Sequence, residues 1–250
     1  MSENIKIERI GSILHIALAR IEKKNALTSA MYQAMIAAMQ TAQTDGTRAI
    51  VISGGAGVFC AGNDIADFLN AAGAVNGEGL SALNFIKMLA INQIPLIAAV
   101  DGFAIGIGTT LILHCDLVYA SPRALFSMPF VDLALVPEAA SSMLLPQRIG
   151  MAKASEFLMM GEPFDAAEAL RLGLVNAIVA PSDLLAHAVS KAQKLAQKPV
   201  QALAATRLLL RGDSAAVLAR IEAEMQMFAV QMKSAEARQI FGAFLAKAKG

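Results

Sequence analysis

Hydrophobic and polar residues alternate near the start of the chain and then recur at helical spacing. In residues 12–19, Leu14, Ile16 and Leu18 occupy every second position, which predicts a strand with one buried face. Thr28 has the chemistry of a helix N-cap. The apolar residues that follow it as far as Ala42 recur three to four positions apart, which predicts a helix.

Along the rest of the chain, short apolar segments typical of strands continue to alternate with segments at helical spacing. Because strands alternate with helices, we expect parallel pairing through helical crossovers, which is typical of α/β folds. Residues 200–249 predict one or two long Ala-rich helices, so we expect a core domain at 1–198 and a C-terminal helical region at 199–250. The other predicted strands are 48–53, 96–101, 117–120 and 124–127, and the other predicted helices include 80–92, 152–160, 165–172 and 183–197.

Two glycine-rich loops, 54–64 and 102–108, each leave a buried strand and enter a helix. The first helix is predicted to reach residue 68, before a Gly/Ala-rich stretch at 71–79 that suggests mobility, and the second to reach residue 115. Helix N-termini carry unpaired backbone N–H groups and a positive partial charge. Two such ends facing each other would hold one oxyanion, although each loop alone also fits an ordinary tight turn. Neither is a P-loop, and the second does not have dinucleotide-fingerprint spacing, so hydride chemistry is unsupported.

Composition narrows the classes of protein to consider. Hydrophobic residues make up 56% of the chain and charged residues 16%, which predicts a large core rather than disorder. The net charge of +1 gives no reason to expect a nucleic acid or an anionic membrane surface as partner. The most apolar stretch, 103–113, is too short to span a bilayer, and residues 1–9 do not resemble a secretory signal. Two distant cysteines predict neither a disulfide framework nor a metal site, and a cytoplasmic location is expected.

Three ordered motifs give the chain a specific resemblance. They are FCAGNDI at 59–65, DGFAIGIG at 101–108 and CDLVYA at 115–120, supported by KNAL at 24–27. Their order and separation resemble the crotonase superfamily of enoyl-CoA hydratases and isomerases over roughly residues 7–180. The resemblance implies an α/β, crotonase-like (ββα) superhelix core with two sheets, followed by a C-terminal helical trimerisation region.

The resemblance also implies a ligand and its contacts. The substrate would be an acyl-CoA thioester, with no cofactor apart from the coenzyme A of the substrate, and the assembly a homotrimer or a dimer of trimers. The thioester oxygen would be held by the backbone amides of Asn63 and Ile107. The residues implied to bind coenzyme A are Lys24 or its neighbour Lys23, Ala26, Ala61, Gly62, Asp64 and Ile65.

The positions of acidic residues indicate which reaction of this superfamily the chain could catalyse. The hydratases that the chain resembles carry two glutamates that hold a water, and the corresponding positions here are Thr110 and Phe130. Neither side chain serves as a general base at neutral pH. This argues against efficient addition of water.

Residues 128–142 resemble instead the Δ3,Δ2-enoyl-CoA isomerase branch, in which a Pro-Phe pair precedes a single catalytic glutamate by eight residues. That glutamate would be Glu138, which would move a proton from C2 to C4 of a 3-enoyl thioester. Its neighbours are apolar, so we expect burial to raise its pKa. From local sequence alone, Glu138 also fits a solvent-facing acid at a helix start after Pro137. Asp132 is the second candidate acid.

Alternatives remain open at this point. A hydratase or another crotonase-type acyl-CoA enzyme shares these loops, and so does a non-catalytic acyl-CoA-binding protein. Asp116 is interpreted as a structural hydrogen-bonding residue. His114 is interpreted as a core histidine with satisfied hydrogen bonds, and Cys60 as a packing residue.

Overall fold

The larger of two sheets has six strands and forms the frame of the protein. The computed structural model describes residues 2–55, 57–67 and 81–247. The strand order is β1-β2-β3-β5-β7-β10, with β1 and β2 antiparallel and every other neighbouring pair parallel. The strands are β1 (Ile5–Ile10), β2 (Ile13–Leu18), β3 (Ala49–Ser53), β5 (Leu96–Val100), β7 (Leu117–Ala120) and β10 (Ala177–Ile178).

A second sheet has four short strands, two of which lie in the glycine-rich loops and two of which follow them in the chain. It has the order β4-β6-β8-β9, parallel except for the last pair. Sequence analysis had placed β4 and β6 in loops, which was wrong, because three residues are too few to show an alternating pattern. The strands are β4 (Val58–Cys60), β6 (Phe103–Ile105), β8 (Leu125–Ser127) and β9 (Phe164–Asp165).

Helices connect the strands and then form the C-terminal region. Thr28 caps the first of them as predicted, since its Oγ1 accepts a hydrogen bond from the Met31 amide. In order the described helices are α1 (Ser29–Ala42), α2 (Ser81–Ile91), α3 (Ile107–Thr110), α4 (Ser141–Ile149), α5 (Met151–Met160), α6 (Ala166–Arg171), α7 (Leu184–Ala196), α8 (Val200–Arg211), α9 (Ser214–Met232) and α10 (Ala235–Lys247).

Two helix predictions need correction. The C-terminal region holds three helices rather than one or two, because Gly212 ends α8 and Lys233–Ser234 separates α9 from α10. The apolar helix expected up to residue 115 is a single turn, α3, continued by a 3-10 segment at Leu111–His114. Residues 65–67 are helical as expected, and the stretch 71–79 lies outside the described residues.

The six-stranded sheet is buried on both faces, which explains the nearly continuous apolar runs of its central strands. On one face, Ile13, Val51 and Ile97 pack against α7. On the other, Ile16 and Ile52 join the main core, which continues into the second sheet and the remaining helices. Strands β3 and β5 are parallel neighbours, so the glycine-rich loops that follow them begin at the same edge of the sheet.

Within the ranges 2–55, 57–67 and 81–247, no helix combines the length and apolar character needed to cross a membrane. In the same ranges, no three His, Cys, Asp or Glu side chains are grouped as ligands for a metal ion.

Candidate active site

The first glycine-rich loop is fixed by pairing with the segment around Asn25. The Ala61 amide donates to the Lys24 carbonyl at 3.0 Å, and the Leu27 amide donates to the Gly62 carbonyl at 2.8 Å. Asn25 is fully buried in the left-handed region (φ +55°), and its side-chain amide donates to two carbonyls of β4 at 3.0 and 3.1 Å. The implied coenzyme A residues of both segments therefore lie side by side.

The residues expected to bind coenzyme A differ in exposure and in what they contact. Lys24 is exposed, whereas Gly62 is buried and Ala26 and Ala61 are partly buried. Asp64 is paired with Arg20 at 2.8 Å, so its carboxylate is already neutralised by a protein cation. Ile65 packs against the main core.

The second glycine-rich loop runs directly beside the first. Strands β4 and β6 pair in parallel, with Cys60 opposite Ala104. A Cβ atom added at Gly108 would lie 2.7 Å from the Cys60 carbonyl oxygen, and one at Gly62 would lie 3.3 Å from the Ile105 carbonyl oxygen. Glycine is needed at Gly108 because the two backbones approach too closely for any side chain.

The amides of Asn63 and Ile107 stand at the ends of these adjacent loops. Ile107 is the first residue of α3, so its N–H has no partner within the helix. Within the part of the chain that the structure describes, neither amide donates a hydrogen bond to a protein acceptor. The Asn63 side chain is held by Tyr32, whose hydroxyl donates to Asn63 Oδ1 at 2.5 Å. Both N–H groups are therefore free to bind a ligand oxygen.

Glu138 lies beside α3 and is buried, with 5% of its surface exposed. The Thr110 hydroxyl donates a hydrogen bond to its Oε1 at 2.5 Å, and Thr110 is the last residue of the helix that Ile107 begins. Burial raises the pKa of Glu138 to about 8; the hydrogen bond from Thr110 opposes this rise, and the charge of Glu224 adds to it. A carboxyl group with such a pKa exchanges protons near neutral pH.

The solvent-facing alternative for Glu138 is wrong. Helix α4 begins at Ser141 rather than after Pro137, and Glu138 lies in the irregular loop before it. Ala139 and Ala140 in this loop are buried and adopt the left-handed region, with φ of +59° and +56°. Glu138 is buried together with these two alanines, not exposed at a helix start.

Contacts from several elements hold this loop. The Ser141 hydroxyl donates to the Glu138 carbonyl at 2.6 Å. His114 Nε2 lies 2.8 Å from the Ala139 carbonyl oxygen, and since a carbonyl only accepts, this nitrogen carries the proton. Burial lowers the pKa of His114 to about 4, so the ring is neutral. His114 is thus a hydrogen-bonded core histidine, as interpreted from the sequence.

The other polar candidates have structural surroundings. Asp132 is exposed in a 3-10 turn, with its carboxyl next to Gly161. Asp116 accepts from the Leu96 amide at 2.7 Å and from Arg207 and Arg211 at 2.9 Å, which confirms its structural interpretation and ties α8 to the core.

Sequence analysis gave no role to three residues that support the site: Asn25, which it quoted only within the KNAL motif, Tyr32 and Glu224. Glu224 lies on α9 and accepts hydrogen bonds from the Ala140 and Ser142 amides. Each of the three acts through contacts with residues more than 30 positions away, so no local pattern distinguishes it.

Together these features define a class of enzyme. Two loops ending in free amides suit a carbonyl oxygen that gains negative charge, and a buried acid with a pKa of about 8 suits transfer of a proton on an adjacent carbon. This combination, on two sheets with a helical C-terminal region, is typical of crotonase-fold enzymes that act on acyl-CoA thioesters.

Comparison with known proteins identifies the family. Residues 8–250 match the family model described as Enoyl-CoA hydratase/isomerase, and the chain belongs to this family. A solved enoyl-CoA hydratase/isomerase from Pseudoalteromonas atlantica T6c is 35% identical, with a TM-score of 0.91 and 98% of both chains covered. OdaA of Pseudomonas aeruginosa is 39% identical, also with a TM-score of 0.91, over 97% of this chain and 99% of that one.

The curated relatives carry both kinds of name. "Enoyl-CoA delta isomerase 2" of Rattus norvegicus is 36% identical over 84% of this chain, and the match spans 55% of the rat protein. "2,3-dehydroadipyl-CoA hydratase" of Escherichia coli is 32% identical over 99% of this chain and 97% of that protein. Family membership thus leaves two reactions to distinguish.

Proposed function

We propose that this protein is an enoyl-CoA isomerase that converts a 3-enoyl-CoA into a 2-enoyl-CoA, with Glu138 as both base and acid. The observation that carries the proposal is the position of Glu138: buried, hydrogen-bonded to Thr110 at 2.5 Å, and beside the helix whose first amide is that of Ile107.

In the proposed reaction, the thioester oxygen accepts hydrogen bonds from the Asn63 and Ile107 amides. The Glu138 carboxylate takes a proton from C2, and the electron pair of the broken C–H bond spreads over the dienolate and its oxygen. The same carboxyl group, now protonated, returns the proton to C4, and the double bond moves to C2–C3. The two amides stabilise the developing negative charge without any change in their own protonation.

Hydration of a 2-enoyl-CoA is the second candidate, favoured by hydratase names among relatives that span the whole chain. The residues of the site argue against it. The Thr110 hydroxyl donates a hydrogen bond to Glu138 and Phe130 is buried and apolar, so neither replaces the second carboxylate that would orient a water.

The test is a pair of assays on the purified protein, one with a 3-enoyl-CoA and one with a 2-enoyl-CoA. We expect conversion of the first and little hydration of the second. Glu138→Gln should lower isomerisation by about 10²–10⁴-fold while coenzyme A binding is retained. Glu222→Gln is the matched control, because Glu222 lies on α9 with half of its side chain exposed and pairs with Lys87. A Glu138→Gln enzyme with full isomerase activity would show that the base is another group.

We further propose that the protein works in the cytoplasm as a homotrimer or a dimer of trimers, needing no cofactor other than the coenzyme A of its substrate. Both cysteines are buried and free, which suits a reducing compartment. Leu208, Leu209 and Leu210 of α8 are 65–86% exposed and form an apolar run suited to contact between subunits. Light scattering after size exclusion tests the assembly, and Leu209→Asp should weaken it.

A further inference from the structure

Glu224 is a buried acid from a distant part of the chain that contacts the loop carrying Glu138. It lies on α9, is 6% exposed, and is separated from Ala140 by 84 positions. Its Oε2 accepts from the Ala140 amide at 2.6 Å. Its Oε1 accepts from the Ser142 amide at 3.0 Å and from the Ser142 hydroxyl at 2.5 Å.

The Glu224 carboxylate supplies hydrogen-bond acceptors that the loop before α4 does not have in its own side chains. Ala140 is the N-cap residue of α4, and an alanine side chain has no oxygen to accept from the first amides of the helix. Ala139 and Ala140 also adopt the left-handed region, which is energetically unfavourable for residues other than glycine. Surrounding contacts must therefore maintain the conformation, and Glu224 provides two of them to the backbone.

We propose that Glu224 is a positioning residue for Glu138, fixing residues 139–142 by hydrogen bonds and placing a negative charge near the catalytic carboxyl. This inference rests on the proposed role of Glu138. Three donors converge on the Glu224 carboxylate, which offsets part of the cost of burying its charge.

The charge of Glu224 acts in a definite direction. It favours the protonated form of Glu138, so its removal should let Glu138 ionise at lower pH. Tyr32 and Cys60 also face Glu138 but are neutral at pH 7, because burial raises the pKa of both. Burial raises the pKa of Glu224 itself, and the hydrogen bonds from Ser142 and Ala140 and the charge of Arg220 oppose this rise.

The test uses Glu224→Gln, with Glu222→Gln as a control that removes the same charge from the same helix. Glutamine keeps the shape but has one oxygen, so either the Ala140 or the Ser142 amide loses its acceptor. We expect kcat for isomerisation to fall by about ten- to a hundred-fold, in line with the cost of a small misplacement of a catalytic group. The acid limb of the kcat profile should move to lower pH, whereas the control should match the wild type.

A purely structural role would lower the melting temperature without moving the acid limb, and that result would overturn the proposal. The ¹³C resonance of the Glu138 carboxyl, identified by its loss in Glu138→Gln, follows the same titration without turnover. An unchanged titration in Glu224→Gln would also overturn it. If Glu138→Gln keeps its activity, the proposed function fails instead, whatever Glu224→Gln does.

A second variant covers the case in which Glu224→Gln does not fold. Ser142→Ala removes only the hydroxyl contact and leaves the charge of Glu224 in place. We expect a fall in kcat of about two- to tenfold, the range for the loss of one typical hydrogen bond. A wild-type rate in Ser142→Ala would contradict the proposal.

Discussion

Replacing Glu138 by glutamine should stabilise the folded protein while it lowers the rate of isomerisation. Burial raises the pKa of Glu138, so the folded state favours its protonated form, whereas the unfolded chain leaves it ionised at neutral pH. Folding at pH 7 therefore requires uptake of a proton or burial of a charge. Glutamine has nearly the same shape and no proton to take up, so the variant avoids this cost.

The size of the effect follows from the two pKa values. The ordinary value is 4.5 and the value in the folded protein is about 8. Since one pKa unit corresponds to about 1.4 kcal/mol, the cost is under about 1 kcal/mol at pH 5, about 3 kcal/mol at pH 7 and about 5 kcal/mol at pH 9. The wild type thus loses stability relative to the variant as the pH rises through this window, and the difference levels off above the folded pKa.

Urea unfolding of both proteins at pH 5, 7 and 9, at one protein concentration, measures this difference. The Glu222→Gln variant is the control, because its exposed carboxylate should contribute little at any of the three pH values. A difference between Glu138→Gln and wild type that stays constant with pH, or that shrinks as pH rises, would refute the assignment of a raised pKa to Glu138.

Three further outcomes are expected. In the wild type, kcat for isomerisation should rise about tenfold from pH 6 to 7 and level off above pH 8, since the carboxylate of Glu138 is the active form; a flat profile would contradict this. Gly108→Ala would bring its Cβ to 2.7 Å from the Cys60 carbonyl oxygen and should lower kcat/KM by about 10²-fold, whereas Gly242→Ala, on α10 with no atom within 4 Å of its Cβ, should retain activity. Asn25→Ala removes the hydrogen bonds that anchor the first glycine-rich loop and should lower stability by about 2–4 kcal/mol in urea unfolding; a shift below 0.5 kcal/mol would show that they are dispensable.

Most of the larger elements could be predicted from the spacing of apolar residues. Strands β2, β3, β5 and β7 bury one or both faces, so their patterns are strong. Strand β1 was missed because it is an edge strand in which only Ile5 is buried. An edge strand is held by backbone pairing with β2, which leaves little trace in the sequence.

The site was only partly predictable for a similar reason. The resemblance pointed to Glu138, but the local sequence around Pro137 equally fitted an exposed helix start. The deciding facts are the left-handed alanines and the contacts with Thr110 and Glu224, which join segments 28 and more positions apart. Tertiary contacts of this kind cannot be inferred from spacing along one chain.

The contact between α9 and the loop before α4 also affects the order in which the protein is completed during synthesis. Every described strand has left the ribosome once residue 178 has emerged. Glu224, which accepts from the Ala140 amide, is synthesised 84 positions after Ala140. A nascent chain can therefore build both sheets and still present the amides of Ala140 and Ser142 to water. If Glu224 positions Glu138 as proposed, chemical competence is acquired only after α9 has emerged and docked.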